Sequence, residues 1–221
     1  MRQLEIEFSS WGGARDGAGR KRRAGARPSV PHRRRERHAK AHPVHVTLRA
    51  MRGLPPFREG VLFRELRRRL AAANRAADAR GAFRVVHFSV QNDHLHLLVE
   101  ADDARALARG VQGLAIRLAR GLNGLLGRRG RVWGDRFHSR ELTSPRAVRN
   151  ALVYVLMNAK KHAALGASGL DPMSSVRGFD GLSRPCVGDP EPVRPARTWL
   201  GSVGWRRHGL IRPDERPRAP G

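Results

Sequence analysis

The chain has 221 residues, enough for one domain with a hydrophobic core and appendages but too few for two large domains. Its 44 Lys and Arg against 19 Asp and Glu give a formal net charge of +25, which favours a polyanionic partner such as nucleic acid; a basic membrane-binding protein is the alternative. The single cysteine, Cys186, excludes an intramolecular disulfide framework and a cysteine-rich zinc module.

The first 41 residues are predicted to form a flexible basic arm. Residues 15–40 hold 11 Lys or Arg, interleaved with Gly, Ala and Pro and without an apolar period. The most basic run suits either a mobile arm that neutralises phosphates or a targeting or solubilising tail. This run consists of Arg20, Lys21, Arg22 and Arg23.

Residues 42–166 are predicted to form the folded domain, because apolar-periodic segments alternate there with Gly, Pro, Asn and Asp. Alternation and helical spacing predict seven elements. In chain order these are a strand at 45–49, a helix at 57–77, a hairpin of strands at 83–90 and 94–100, a helix capped by Asp102 or Asp103 and striped from Leu107 to Leu125, a strand at 131–142, and a helix from Pro145 to Gly166.

This order predicts an α+β fold of ferredoxin-like type, an antiparallel βαββαβ sheet with two helices on one face. The additional C-terminal helix is then left to lie near the other face or to cross to a partner subunit. Residues 167–221 are predicted to be a mostly irregular basic tail. Its aromatic and basic patch, 199–211, either packs on the domain or touches DNA, and packing is favoured because Trp-rich segments usually bury area.

Two histidines on the fourth predicted element form a candidate metal site. Alternate residues of a strand lie about 7 Å apart and their side chains share a face. His94 and His96 therefore point the same way and can bind one cation. An isolated His-x-His is weak evidence, because ordinary strand histidines with local hydrogen bonds give the same pattern.

The last predicted helix carries a candidate nucleophile. At 100° per residue its apolar side is formed by Val148, Leu152, Val155, Leu156 and Ala159. Tyr154, the single tyrosine, clusters with Asn158 and Lys161 away from that side. Asn158 lies one turn beyond Tyr154, so its amide oxygen can complete a His-His-Asn ligand set that leaves positions open for phosphate oxygens. A core tyrosine and a solvated polar face are the alternatives.

These residues resemble the HUH tyrosine transposases of single-domain type, and among them the REP-associated tyrosine transposases. The resemblance spans about residues 15–165 and is carried by four segments. These are His94-Leu95-His96, Tyr154-Val155-Leu156-Met157-Asn158, Val132-Trp133-Gly134-Asp135-Arg136-Phe137 and Arg27-Pro28-Ser29-Val30-Pro31-His32-Arg33, with a looser echo in Gly204-Trp205-Arg206-Arg207-His208-Gly209-Leu210.

The resemblance implies a transposase that cleaves and rejoins single-stranded or hairpin DNA. Tyr154 would be the nucleophile and would become linked to a 5′-phosphate, with His94, His96 and Asn158 holding a divalent metal, Mg or Mn. A second strand's 3′-hydroxyl would reverse the step. His45 and Arg49, on the polar face of the first strand, either contact the scissile phosphate or are exposed, and exposure is expected for each.

A monomer or homodimer without a membrane partner is expected in the cytoplasm, associated with the nucleoid if the source is bacterial. A nucleotide hydrolase of the histidine-triad type is a rival, but Leu98 stands where its third His would be. A domesticated protein that binds palindromic DNA without turnover is the second rival, and the intact His and Tyr residues argue against it.

Overall fold

The computed structural model describes residues 38–78, 81–158, 169–186 and 192–217. The predicted phosphate-binding residues Arg20, Lys21, Arg22 and Arg23 and the predicted helical Lys161 lie outside these ranges.

Seven main elements follow in the predicted order. They are β1 (Val44–Arg49), α1 (Gly60–Asp78), β2 (Phe83–Val90), β3 (His94–Ala101), α2 (Ala104–Leu125), β4 (His138–Glu141) and α3 (Pro145–Leu156). The four strands form one antiparallel sheet in the order β2-β3-β1-β4. This is the ferredoxin-like arrangement, so the predicted α+β fold is confirmed.

Two predicted boundaries were wrong. The strand expected over 131–142 is limited to His138–Glu141, because Trp133 turns inward and donates its indole N–H to Ala115 O at 2.8 Å. The helix expected to reach Gly166 ends at Leu156, where Met157 leaves the helical region with φ −107° and ψ 13°. Residues 159–168 lie outside the described part of the chain.

The sheet separates two hydrophobic cores. Side chains alternate along β1, so that Val44, Val46 and Leu48 are buried against α1 and α2 while His45 and Thr47 face the other way. Helix α3 packs on that second face, against β2 and β3. The sequence left the final helix either to lie near the other face of the sheet or to cross to a partner subunit. In the structure α3 lies on the second face of its own sheet.

The segment after residue 168 has little regular structure but belongs to the second core. It contains α4 (Trp199–Ser202) and two 3-10 turns, Ser175–Gly178 and Gly204–His208. Its buried apolar side chains surround α3, and they are Leu170, Val176, Phe179, Leu182, Leu200, Trp205 and Ile211. Periodicity gives no signal for this packing, because these residues are irregularly spaced along the chain.

Polar contacts fix the same segment to the domain. The carboxylate of Asp171 accepts two hydrogen bonds from the Arg58 guanidinium, at 2.7 and 2.9 Å, and Asp171 is 1% exposed. The packing expected of the 199–211 patch holds for Trp205 and Ile211, which are buried, whereas Trp199 is 48% exposed. Among the described residues no helix is long and apolar enough to cross a bilayer.

Candidate active site

Strand β3 brings two imidazoles together on the face of the sheet that α3 covers. His94 has 20% of its side chain exposed and His96 is 4% exposed. Their Nε2 atoms lie 3.0 Å apart, and the ring planes are inclined at 81°. The two rings therefore converge through the same nitrogen, as the alternating pattern of the strand predicted.

The outer nitrogen of His94 is held by a carboxylate at the hairpin turn. His94 Nδ1 lies 2.6 Å from Asp93 Oδ1, and Arg49 donates to Asp93 Oδ2 at 2.8 Å. Burial by itself raises the pKa of Asp93, but the hydrogen bonds from His94 and Arg49 outweigh it and lower the pKa below its usual value. Asp93 is therefore an ionised acceptor, so His94 carries its proton on Nδ1 and leaves Nε2 as a lone-pair donor.

The outer nitrogen of His96 has two partners on β1. His96 Nδ1 is 3.2 Å from His45 Nε2 and 3.2 Å from Thr47 Oγ1. Burial lowers the pKa of His45 to about 4, with further lowering by the charges of His138 and Arg140. A neutral His45 has one acceptor nitrogen; we assign it the tautomer protonated on Nδ1, in which its Nε2 accepts from His96 Nδ1 and the lone pair of His96 lies on Nε2.

Exposure was predicted for both His45 and Arg49 on β1, and the structure confirms it for Arg49 only. Arg49 is exposed. His45 is half-buried beneath α3 and contacts both His96 and Tyr154, so the prediction of an exposed His45 was wrong. The reason is tertiary: the helix that covers this face begins 100 residues further along the chain, at Pro145.

Helix α3 places the single tyrosine against these imidazoles. The ring of Tyr154 meets the ring of His96 edge-on at 5.0 Å between centroids, and that of His45 at 5.6 Å. The helix begins at Pro145 and is capped by Ser144, whose side chain accepts from the backbone N–H of Ala147. Val153 and Val155 on either side of Tyr154 are buried, so the orientation of the phenol is fixed by packing.

The remaining predicted site residue is Asn158, two residues after the end of α3. It is 1% exposed and follows Met157, the C-cap of α3. Sequence reasoning missed two supporting residues. Asp93 has the sequence context of a turn residue and Thr47 that of an ordinary strand residue, although both hold a histidine Nδ1.

The paired histidines fit a divalent metal. Two lone pairs that face each other at 3.0 Å repel unless a proton or a cation lies between them. Nitrogens that share one metal at about 2.1 Å and a right angle are about 3.0 Å apart, which agrees with the observed spacing. Within the described ranges no three His, Cys, Asp or Glu side chains form a metal-binding group.

A ferredoxin-like sheet with paired histidines beside a helical tyrosine is the arrangement that the resemblance to the tyrosine transposases implies. Residues 45–153 match the family model described as "Transposase IS200 like", a match that ends one residue before Tyr154. This region is similar to the IS200-like transposases, which agrees with the resemblance identified in the sequence.

A similar solved structure is described as "Structure of the REP associates tyrosine transposase bound to a REP hairpin". It has a TM-score of 0.52 and 16% sequence identity, and the alignment covers 66% of this chain and 82% of that chain. At this identity the likeness establishes the fold. No curated protein sequence matches the chain.

Proposed function

We propose that this protein is a DNA transposase that cleaves and rejoins single-stranded or hairpin DNA, with Tyr154 as the nucleophile. The observation that carries the proposal is the contact of the Tyr154 ring with His96, whose Nε2 converges with that of His94. The family match and the net charge of +25 support DNA as the substrate. The hairpin named for the similar solved structure supports a hairpin substrate here.

In the proposed cleavage step the Tyr154 oxygen forms a bond to phosphorus while the bond from phosphorus to the 3′-oxygen breaks. The phenol proton passes through solvent to the leaving 3′-oxygen, so the products are a 5′-phosphotyrosine and a free 3′-hydroxyl. The phosphodiester bond energy is retained in the adduct. Another 3′-hydroxyl can therefore reverse the step and join DNA without a nucleotide cofactor.

His94, His96 and Asn158 are the residues proposed to hold a divalent cation, Mg²⁺ or Mn²⁺. When bound, the cation would neutralise the charge that develops on the phosphate. Asp93 and His45 keep the protons of His94 and His96 on Nδ1, so both Nε2 atoms remain available as ligands. A neutral phenol is a weak nucleophile, so its attack on a phosphodiester needs such charge compensation.

The experiment uses a DNA hairpin with a single-stranded flank, labelled on the 3′ side of the cleavage point, in the presence of Mn²⁺. A labelled protein band that survives denaturation is the expected product, and chelation of the cation should remove it. Tyr154→Phe should abolish the band with hairpin affinity unchanged, because only the attacking oxygen is removed. His208→Gln, which alters an exposed imidazole, is the control.

An adduct that persists in Tyr154→Phe would refute the assignment of the nucleophile. Tight hairpin binding with no adduct under Mg²⁺ or Mn²⁺ would favour a palindrome-binding protein that has lost turnover.

A further inference from the structure

Strand β4 places two basic side chains on the sheet face that carries Tyr154. Arg140 is the Cα partner of His45 in the antiparallel pairing of β4 with β1. Two residues earlier, His138 is the Cα partner of Thr47. Directly opposed residues of antiparallel strands point to the same face, with their Cβ atoms about 5 Å apart. Because the ring of His45 contacts that of Tyr154, both basic residues of β4 share the tyrosine's face.

The exposure of the side chains along β4 follows the same alternation. His138 and Arg140 are exposed, whereas Ser139 and Glu141 are half-buried. The carboxylate of Glu141 accepts from the backbone N–H of Ala39 at 2.8 Å, on the other side of the sheet. Both exposed side chains of β4 therefore carry nitrogen groups that can hold an anion.

These two side chains line an open flank of the Tyr154 site. Helix α3 packs against β2 and β3. In the strand order β2-β3-β1-β4 those two strands lie at one end of the sheet, and β4 lies at the other. A DNA strand can therefore lie over β1 and β4 beside the tyrosine without displacing the helix.

The positive charge of β4 is felt at the site itself. Burial lowers the pKa of His45 to about 4, and the charges of His138 and Arg140 lower it further. The ring of His45 lies 5.6 Å from the ring of Tyr154. The same charges attract a phosphodiester that lies beside these two rings.

Arginine suits a phosphodiester at this position better than histidine does. Its guanidinium is always charged in proteins, and its planar set of N–H donors can contact two phosphate oxygens at once. A long side chain also reaches the diagonally opposed position on the neighbouring strand, about 7–8 Å away. Arg140 can therefore contact a strand that lies over either His45 or Thr47.

The strand register separates Arg140 from the histidine pair by one row of side chains. His96, Thr47 and His138 form one row across β3, β1 and β4. Arg140 and His45 form the next row. A phosphate that contacts a cation at His96 lies at the first row, so the phosphate within reach of Arg140 is a neighbouring one on the same strand.

We propose that Arg140 binds the phosphodiester next to the one that Tyr154 attacks, and so positions the single-stranded flank of the substrate over β1. This role rests on the proposed function, because it takes the Tyr154 site as the place where the strand is cleaved. Arg140 acts in binding and alignment, and it takes no part in making or breaking bonds.

The test uses a DNA hairpin whose single-stranded flank carries one uncharged methylphosphonate linkage, placed at each position of the flank in turn. Affinity is measured with Mn²⁺ in Tyr154→Phe protein, so that cleavage does not interfere. The same measurements are made after adding Arg140→Gln or the control Arg177→Gln. Arg177 is an exposed arginine beside β2, at the opposite edge of the sheet.

At one linkage the methylphosphonate should weaken binding by about tenfold, the effect of losing one charge-assisted hydrogen bond. Arg140→Gln should weaken binding of the unmodified hairpin by a similar factor, and the methylphosphonate at that linkage should then cause no further loss. Arg177→Gln should leave the tenfold sensitivity intact. Arg140→Lys should recover part of the affinity, because the charge remains while the planar donor set is lost.

Losses that multiply at every linkage when Arg140→Gln is combined with a methylphosphonate would overturn the proposal, because the side chain would then bind no single phosphate of the flank. Coupling at the cleaved linkage itself, as mapped with the protein that retains Tyr154, would also overturn it. A protein that forms no adduct would contradict the proposed function instead, and the affinities would still decide whether Arg140 binds a phosphate.

Discussion

The phenol ring of Tyr154 stands edge-on to the imidazole of His96, with 5.0 Å between centroids and 77° between planes. Both residues belong to one chain, and α3 rests on its own sheet rather than extending away from it. The proposed nucleophile and the two histidines proposed as metal ligands thus lie together within a single subunit.

This arrangement predicts that two inactive variants cannot restore each other. When Tyr154→Phe and His96→Ala proteins are mixed, no subunit holds both an intact phenol and an intact pair of imidazoles on the same sheet. We expect the mixture to form no covalent adduct with labelled hairpin DNA. Restoration of the adduct in the mixture would show that the phenol acts on a partner's histidines.

His45 is predicted to support metal binding without touching the metal. His45→Phe keeps an aromatic ring against Tyr154 but removes the acceptor 3.2 Å from His96 Nδ1. Loss of such a supporting partner typically lowers metal affinity by about 10- to 100-fold. The measurement is Mn²⁺ titration followed by electron paramagnetic resonance, in the absence of DNA.

The matched control for that measurement is His138→Phe, on the neighbouring strand and exposed. Equal Mn²⁺ affinities for the two variants would mean that the hydrogen bond from His96 to His45 does not support the metal site.

The C-terminal segment is predicted to stabilise the domain. Trp205 is 1% exposed and stacks near Phe179, so Trp205→Ala should lower the free energy of unfolding by about 3–5 kcal/mol. Trp199→Ala removes the same side chain from a position that is 48% exposed, and it should cost about 1 kcal/mol or less. Urea unfolding of both variants provides the comparison, and equal decreases would contradict the packing of this segment.

Half-buried His87 is predicted to make stability depend on pH. Burial lowers its pKa to about 4, partly offset by Asp180, and its Nδ1 lies 3.2 Å from the Ser175 hydroxyl oxygen. Between pH 6.5 and about 4 the unfolded chain binds a proton that the folded chain does not. The free energy of unfolding therefore falls as pH falls through this window, by about 3 kcal/mol for 2.5 pH units, and is unaffected above it.

His87→Leu should remove the part of the fall in unfolding free energy that His87 causes at low pH. His208→Gln, at an exposed position, should leave that fall unchanged. Urea unfolding at several pH values from 4 to 8 measures both. A parental pH profile in His87→Leu would mean that His87 is protonated alike in both states.

Local patterns were enough to predict most of the fold. Asp103 caps α2 and Ser144 caps α3, both by accepting a backbone N–H within the first turn, as their positions before apolar-periodic segments indicated. The stripe of α2 is buried from Leu107 to Leu122, whereas Leu125 at its end is 44% exposed. The first turn of a helix and its apolar face depend on neighbours in sequence, which is why they can be predicted.

Long-range contacts could not be predicted in the same way. His45 and His96 meet because β1 and β3 pair in one register, and that register depends on the packing of the whole sheet. Asp171 accepts a hydrogen bond from Arg58, from which it is separated by 113 positions in the sequence, and neither position carries a periodic signal.

Local sequence patterns predict the order of the elements, the common face of His94 and His96, and the position of Tyr154 away from the main apolar stripe, because each follows from a repeat of two or 3.6 residues. The tertiary structure alone decided that α3 returns to its own sheet, that His45 is covered beneath it, and that the irregular C-terminal segment completes the second core. Those outcomes depend on which apolar surfaces pack together, a property of the folded chain as a whole.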